Sequence, residues 1–341
     1  MKDLIYYFEN NICSNYKVLI TIVLFILGGT VVGIVDIVVL GNIINETIIF
    51  PNKTIGPVLG SPCAYSSIIM ARLGRKIGIV SYIGNDLTKD MVEQFQIVDT
   101  EGFIPYKFTT QNNLIYHADG NKSVEYAKVT PVIEFEDIPD NYLKAETFYI
   151  CPMNCEVIID IPKKLYEMGK KVIVDLGGFG GTTSYNHFSI YTRRGKALID
   201  HLCKYSTIIK LSEEDLKYII PSMSAEEATQ YFIDKGAQAA VISLGEKGAL
   251  CQTKGQLAKR IEAFPPECEE DDLNLVGAGD ALAAGMIASL DDMQNLEEAV
   301  VYGTAVASLV IEKKGGCVVE RMPTSFEVKR RLSKRTSILS S

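Results

Sequence analysis

The chain of 341 residues predicts an α/β fold: a doubly wound, mostly parallel sheet with helices on both faces, plus a small β lid. Three observations carry this. Short apolar runs alternate with stretches of helical spacing, as strands and crossover helices do in open parallel sheets. The segment Tyr106 to Val129 breaks that rhythm with strand-like alternation around Asp119-Gly120-Asn121, a hairpin signal. Finally, Asn274-Leu275-Val276-Gly277-Ala278-Gly279-Asp280 runs straight into an apolar stretch with helical spacing.

From Val18 to Val35 the chain carries no charge and is mostly Val, Ile and Leu. That length reaches the lower limit of a membrane span, about 18 residues. Gly28, Gly29 and Gly33 interrupt it, and its β-branched content also suits a strand. A secretory signal fits less well, because no small-x-small cleavage site follows. Residues 1–33 are therefore read as an apolar extension, either an anchor or an extra strand packed on the domain. Any membrane contact is expected only through residues 18–35.

The runs Ile37 to Leu40, Ile77 to Ile83, Thr147 to Ile150, Val172 to Leu176, Thr207 to Leu211 and Ala239 to Leu244 read as buried strands. Parallel strands are covered on both faces, so they need no polar alternation. Between them Ala64 to Leu73, Val157 to Met168, Thr192 to Lys204 and Ala225 to Lys235 have helical spacing. The main domain is placed at residues 34–325, and 326–341 as a basic tail whose Lys329 to Arg335 are solvated helix charges.

Composition narrows the function. The chain is 47% hydrophobic, enough for a sizeable core, and a net charge of −8 argues against a general nucleic-acid binder. Its eight cysteines show no metal-ligand spacing. They read as reduced core thiols of a cytoplasmic protein. His117, His187 and His201 carry no motif.

The segment at Gly277 carries the chemistry. Gly277 and Gly279 permit backbone angles that other residues resist. Their N–H groups can converge at a helix N-terminus, where the dipole is positive and a phosphate or developing anion binds. An acid in the same turn would repel a phosphate unless it faces a hydroxyl substrate. Asp280 therefore reads as a general base beside an anion hole formed by Gly277, Ala278 and Gly279, a phosphoryl-transfer arrangement. The bland alternative is a glycine-rich turn with an acid favouring the helix start.

The order of motifs decides between them. Gly277-Ala278-Gly279-Asp280 matches the last four residues of the C-terminal signature of the PfkB (ribokinase-like) carbohydrate kinases, with Asn274, Leu275 and Val276 departing from its start. Val241 to Ala249 resembles that family's strand and nucleotide-side loop. Lys210-Leu211-Ser212-Glu213-Glu214-Asp215 resembles its Asn-x-x-Glu segment. Ile79 to Asp86 and Asp36 to Gly41 match its early strands. The resemblance runs in order from about Ile34 to about Thr324.

The resemblance implies roles for further residues. Glu46, counted from Gly41, stands where relatives contact sugar hydroxyls with Asp. Gly60, Ser61 and Tyr65 stand in the family's substrate-side Gly-Gly region, with Ser replacing one glycine and Tyr replacing a common Asn. Segments near 46–58 and 104–129 would form a lid over the acceptor. Ser243, Gly245 and Gly248 would shape the ATP loop, and Thr304 would lie near adenine. Ser212 and Asp215 replace the Asn and Glu that organise Mg²⁺, often through water; both remain oxygen ligands. Asn274 replaces an acid that helps hold a monovalent cation in several relatives, which puts potassium activation in doubt. Asp175 to Gly181 reads as a flexible turn lining the cleft, with Arg193 and Arg194 as solvated charges.

The expectation is an ATP- and Mg²⁺-dependent kinase for a hydroxyl of a sugar or polyol. A nucleoside kinase of the same superfamily shares every motif. A non-catalytic sensor on this fold is the rival from another class, and a homodimer is left open.

Overall fold

The computed structural model describes residues 34–118, 122–269 and 272–339. The apolar extension at 1–33, nearly all of the run at 18–35, and the Asp119-Gly120-Asn121 turn lie outside the described residues. Among the described residues no helix is long and apolar enough to cross a membrane.

The main sheet has nine strands in the order β13-β12-β11-β10-β9-β8-β1-β4-β5. They are β1 (Ile37–Leu40), β4 (Ile77–Ile83), β5 (Phe103–Pro105), β8 (Thr147–Ile150), β9 (Lys171–Asp175), β10 (Ile208–Ser212), β11 (Ala239–Ser243), β12 (Ala249–Thr253) and β13 (Lys259–Ile261). All pairings are parallel except those of β12 with its two neighbours. β1 shows why the expected strands form: its four residues are all buried. Successive side chains leave opposite faces of a strand. Ile37 and Val39 thus join one core, with helices α1 (Pro62–Arg72), α7 (Ala278–Ser289) and α8 (Leu296–Ile311). Val38 and Leu40 join the other, with α3 (Asp160–Glu167), α4 (Arg193–Lys204) and α6 (Ala225–Asp234). The remaining helices are α2 (Lys89–Glu93), α5 (Glu213–Ile219) and α9 (Ser325–Leu339).

Local chemistry sets most boundaries. Thr192 accepts from the Gly195 N–H to start α4, and Ser224 forms a capping box with Glu227 to start α6. The expected helix from Val157 starts only at Asp160. Pro162 is tolerated in a first turn and not deeper, and Val157 is engaged in a β-bridge with Ile133. Strand β9 ends at Asp175, before Leu176, because the Asp175 carboxylate accepts from the Gly177 N–H and turns the chain.

A separate four-stranded sheet, β3-β2-β6-β7, forms the expected lid. It comprises β2 (Ile44–Phe50), β3 (Lys53–Gly60), β6 (Thr110–Tyr116) and β7 (Lys122–Lys128). The parallel β2–β6 pairing sets Glu46 opposite Asn112. The second lid segment begins later than expected, since residues 103–105 pair with β4 in the main sheet.

The basic C-terminal segment is a helix end on which Lys329, Arg330 and Lys334 are exposed, as expected, but it is anchored to the domain. Thr324 and Glu327 cap α9 reciprocally, and Val328 is fully buried. Arg331 is buried as well: its guanidinium lies 2.7 Å from Glu312 and donates to Ser308 at 3.0 Å. Arg193 and Arg194 are exposed, as expected. The cysteines among the described residues are all free thiols, most of them buried.

Candidate active site

The carboxyl ends of the parallel strands open into a cleft of about 190 Å³, lined by residues of the lid, of α1, of the β8–β10 ends and of the α7 N-terminus. Ligands bind at this edge in open α/β sheets.

Gly277 is the N-cap of α7 at φ 82°, a left-handed conformation that glycine alone adopts without strain. Asp280 falls in the first turn and lines the cleft. The Ala278 N–H, expected as an anion donor, instead donates to the Leu275 carbonyl at 3.2 Å. Gly279 and Asp280 follow in the first turn of α7 and line the cleft. Gly279 borders open space: a Cβ there would meet only Lys210 Nζ, at 3.9 Å.

Lys210 was not singled out from sequence. Strand register sets it beside Asp175, and the two form a buried ion pair at 2.7 Å. Burial pulls the Lys210 pKa down, but the Asp175 and Asp280 carboxylates outweigh it and push the value up to about 12. The ammonium is thus held charged across from the α7 N-terminus. The signal in the sequence was a lysine inside an otherwise apolar strand, rare unless the charge is paired or used.

Glu46 lies within β2 and is 4% exposed. Burial, aided by the nearby Asp280 charge, raises its pKa to about 7, while the Asn112 amide beside it pulls the other way. Gly60 backs this carboxylate, since a Cβ at Gly60 would stand 2.8 Å from Glu46 Oε2. Ser61 lines the cleft, but its Oγ is spent as the α1 N-cap, accepting from the Ala64 N–H at 3.1 Å. Tyr65 also lines the cleft, while its hydroxyl accepts from Arg321 at 3.1 Å. Its ring is a wall and its polar end belongs to the core.

On the opposite side Ser212 and Asp215 form the capping box of α5. Ser212 Oγ donates to Asp215 Oδ2 at 2.6 Å, and Asp215 Oδ1 accepts from the Thr182 N–H at 2.9 Å. Both residues line the cleft beside Thr182, whose buried hydroxyl oxygen finds no protein partner. Among the described residues no three acidic, His or Cys side chains cluster as a metal cage. That donor set suits Mg²⁺, which keeps most of its waters and takes phosphate oxygens. The Asp175 to Gly181 stretch is a tightly packed 3₁₀ turn, not a loose loop: a Cβ on Gly178 would lie 1.8 Å from the Pro152 carbonyl.

The remaining nucleotide-side expectations lie away from this cavity. Ser243 ends β11, and Gly245 and Gly248 shape its hairpin to β12, Gly248 at φ 88° against the Ile261 carbonyl. Thr304 is 3% exposed within α8 and its hydroxyl donates to the Val301 carbonyl. Sequence reading also missed Glu156, a buried carboxylate that accepts from the N–H groups of Asn42, Met153 and Asn154, tying the β1 and β8 ends together.

The sequence profile of the pfkB family carbohydrate kinases matches residues 156–322. The chain is 30% identical over 285 residues to the cytidine kinase of Thermococcus kodakarensis, covering 82% of this chain and 97% of that enzyme. The chain belongs to the pfkB family of carbohydrate kinases. It is 24% identical to the ribokinase of Haemophilus influenzae over 75% of this chain and 82% of that protein. The structure of Arabidopsis thaliana ribokinase complexed with ribose and ATP superposes with a TM-score of 0.69 at 18% identity, covering 88% of this chain and 99% of that one. The fold is therefore ribokinase-like, and this pfkB kinase is an ATP-dependent phosphotransferase acting on an alcohol group of a sugar-like substrate.

Proposed function

We propose that the acceptor hydroxyl belongs to a pentose-type sugar, free or as part of a nucleoside, and is held between Glu46 and Asp280. The observation that supports this is the pairing, in one cleft, of an acid in the first turn of α7 with a buried acid on the lid. Asp280 takes the hydroxyl proton as the bond to phosphorus forms. The N–H groups of Gly279 and Asp280, with Lys210, stabilise charge on the transferring group. Glu46 accepts hydrogen bonds from neighbouring hydroxyls and orients the attacking one. Lid strands β2 and β6 keep water from competing as the acceptor. Ser212 and Asp215 would hold Mg²⁺ through water, and the ion would supply positive charge to the phosphates. Ser243, Gly245 and Gly248 cradle the nucleotide farther along the edge.

The nucleoside form of the acceptor is favoured by the similarity to a cytidine kinase over nearly the whole of that enzyme. The free thiols support a reducing compartment such as the cytoplasm.

The test is a panel of pentoses, hexoses, polyols and nucleosides with ATP and Mg²⁺, read as ADP and phosphorylated product. A nucleoside turned over with the highest kcat/KM supports the reading. A hexose or acyclic polyol in that place overturns it. Asp280→Asn should keep ATP affinity and lose on the order of 10²–10⁴ in kcat. Undiminished turnover would remove Asp280 from the role of base.

A further inference from the structure

Arg321 is the bulkiest fully buried side chain among the described residues. Its Nε donates to the Val310 carbonyl at 3.2 Å. Its Nη1 donates to the carbonyls of Gly315 at 3.0 Å and Gly316 at 3.4 Å and to the Tyr65 hydroxyl at 3.1 Å, and its Nη2 to those of Asn274 at 3.0 Å and Val276 at 2.8 Å. These partners are five carbonyl oxygens and one phenol, with no carboxylate among them. A buried guanidinium is ordinarily matched by an anion, because desolvating a lone charge is costly. Here backbone carbonyl dipoles and one phenol take that place.

Those dipoles come from two loops. Residues 274–276 lead directly into Gly277 and the α7 N-terminus, and residues 310–316 close the end of α8. Carbonyls converging from separate loops on one desolvated positive charge form the kind of cage that coordinates a monovalent metal ion. Asn274 knits the same loops, with Nδ2 donating to the Gly315 carbonyl at 2.8 Å and Oδ1 accepting from the Val276 N–H at 3.3 Å. Its neutrality fits, since the charge in the cage is supplied by the arginine. The Tyr65 ring stands between this cage and the cleft, within the field of both Arg321 and Asp280.

We infer that Arg321 is a built-in cation. It fills the carbonyl cage beneath the anion hole, holds the 274–277 loop in its phosphate-binding shape, and makes turnover independent of dissociable K⁺ or Na⁺. Arg321 is a positioning residue, acting through the loop and through its charge, and the inference rests on the kinase reading of the site.

The test compares turnover of the full chain in K⁺, Na⁺ and tetramethylammonium at equal ionic strength. Wild type should give the same kcat in all three. Arg321→Ala should lose on the order of 10²-fold in kcat, the loss typical of removing one electrostatic donor to the transition state, with a smaller change in acceptor KM. Guanidinium at low concentration, or K⁺, should restore part of it, and tetramethylammonium should not. Arg321→Lys, which keeps a charge, should retain more kcat than Arg321→Met, which keeps only bulk. Thermal unfolding gives a readout that needs no acceptor: K⁺ should raise the Tm of Arg321→Ala and leave wild type unmoved, so a failed cation assignment is separable from a mistaken substrate. Several-fold K⁺ activation of wild type, or equal kcat for the Lys and Met variants, would overturn the inference. So would the absence of rescue in a folded Arg321→Ala, which would leave Arg321 a structural tie alone.

Discussion

The Tyr65 ring lies so close to Gly277 that a Cβ on Gly277 would stand 2.5 Å from the ring edge. Helix α1 thereby sets the shape of the turn that opens α7 from outside it. Gly277 is constrained twice, by its φ of 82° and by this contact. Gly277→Ala should add about 1–2 kcal/mol of backbone strain and displace the turn, lowering kcat at least ten-fold, roughly the effect of 1.4 kcal/mol in the transition state. Gly279→Ala meets only Lys210 Nζ at 3.9 Å, so it should fold normally and raise the KM for ATP. Paired steady-state kinetics and thermal melts check this, and an unaltered kcat in Gly277→Ala would show that the turn can shift without loss.

Glu46 gives a pH dependence. Its pKa is raised from 4.5 to about 7 in the folded protein, first by burial and then by Asp280. The folded state therefore binds the extra proton between those values, and stability should fall as pH rises from about 4.5 to 7, then level off. The integrated effect is on the order of 3 kcal/mol. Glu46→Gln resembles the protonated form, so the Tm difference between variant and wild type should grow from pH 5 to 8. Denaturant unfolding across that range is the measurement; a constant difference would mean Glu46 titrates as an exposed acid. Acceptor affinity should move the other way in wild type, KM falling as pH rises through about 7 and the carboxylate becomes a full acceptor.

The Lys210–Asp175 pair is buried at both ends. Lys210→Met leaves the Asp175 charge without its partner and should destabilise by about 3–5 kcal/mol. Adding Asp175→Asn should return a large part of that stability but not kcat, because the charge facing the transferring group stays absent. If the double variant regains turnover, Lys210 serves only to neutralise Asp175.

Ser61 sits at φ 97°, ψ 152°, a region populated almost only by glycine at a cost of about 1–3 kcal/mol. Its hydroxyl caps α1, yet glycine at an N-cap loses only a few tenths, and the extra freedom of an unfolded glycine costs about 0.5–1 kcal/mol. Ser61→Gly should therefore stabilise by about 1 kcal/mol. Urea unfolding checks it, and a destabilised variant would mean that the Ser61 Oγ contact to the Ala64 N–H is worth more than the strain.

Much of the architecture was legible because its causes are local. β1 and β4 appear where apolar runs predicted them, and α4 and α6 begin at Thr192 and Ser224 caps written in adjacent residues. Gly277 to Asp280 was readable for the same reason: a left-handed turn and an acid in the next helical turn are properties of neighbouring positions. Glu46 could be placed by counting from Gly41, but its burial beside Asn112 depends on β2 pairing with β6 across the lid. Lys210 gains its meaning only when β9 and β10 lie side by side and set it against Asp175. Arg321 reads in sequence as one more basic residue. Its cage draws on carbonyls as far away as residue 274, and backbone carbonyls leave no trace in side-chain pattern. Turns, caps and strand faces depend on short-range sterics and hydrogen bonds. The partner of a buried charge depends on which distant segments the sheet order brings within a few ångströms.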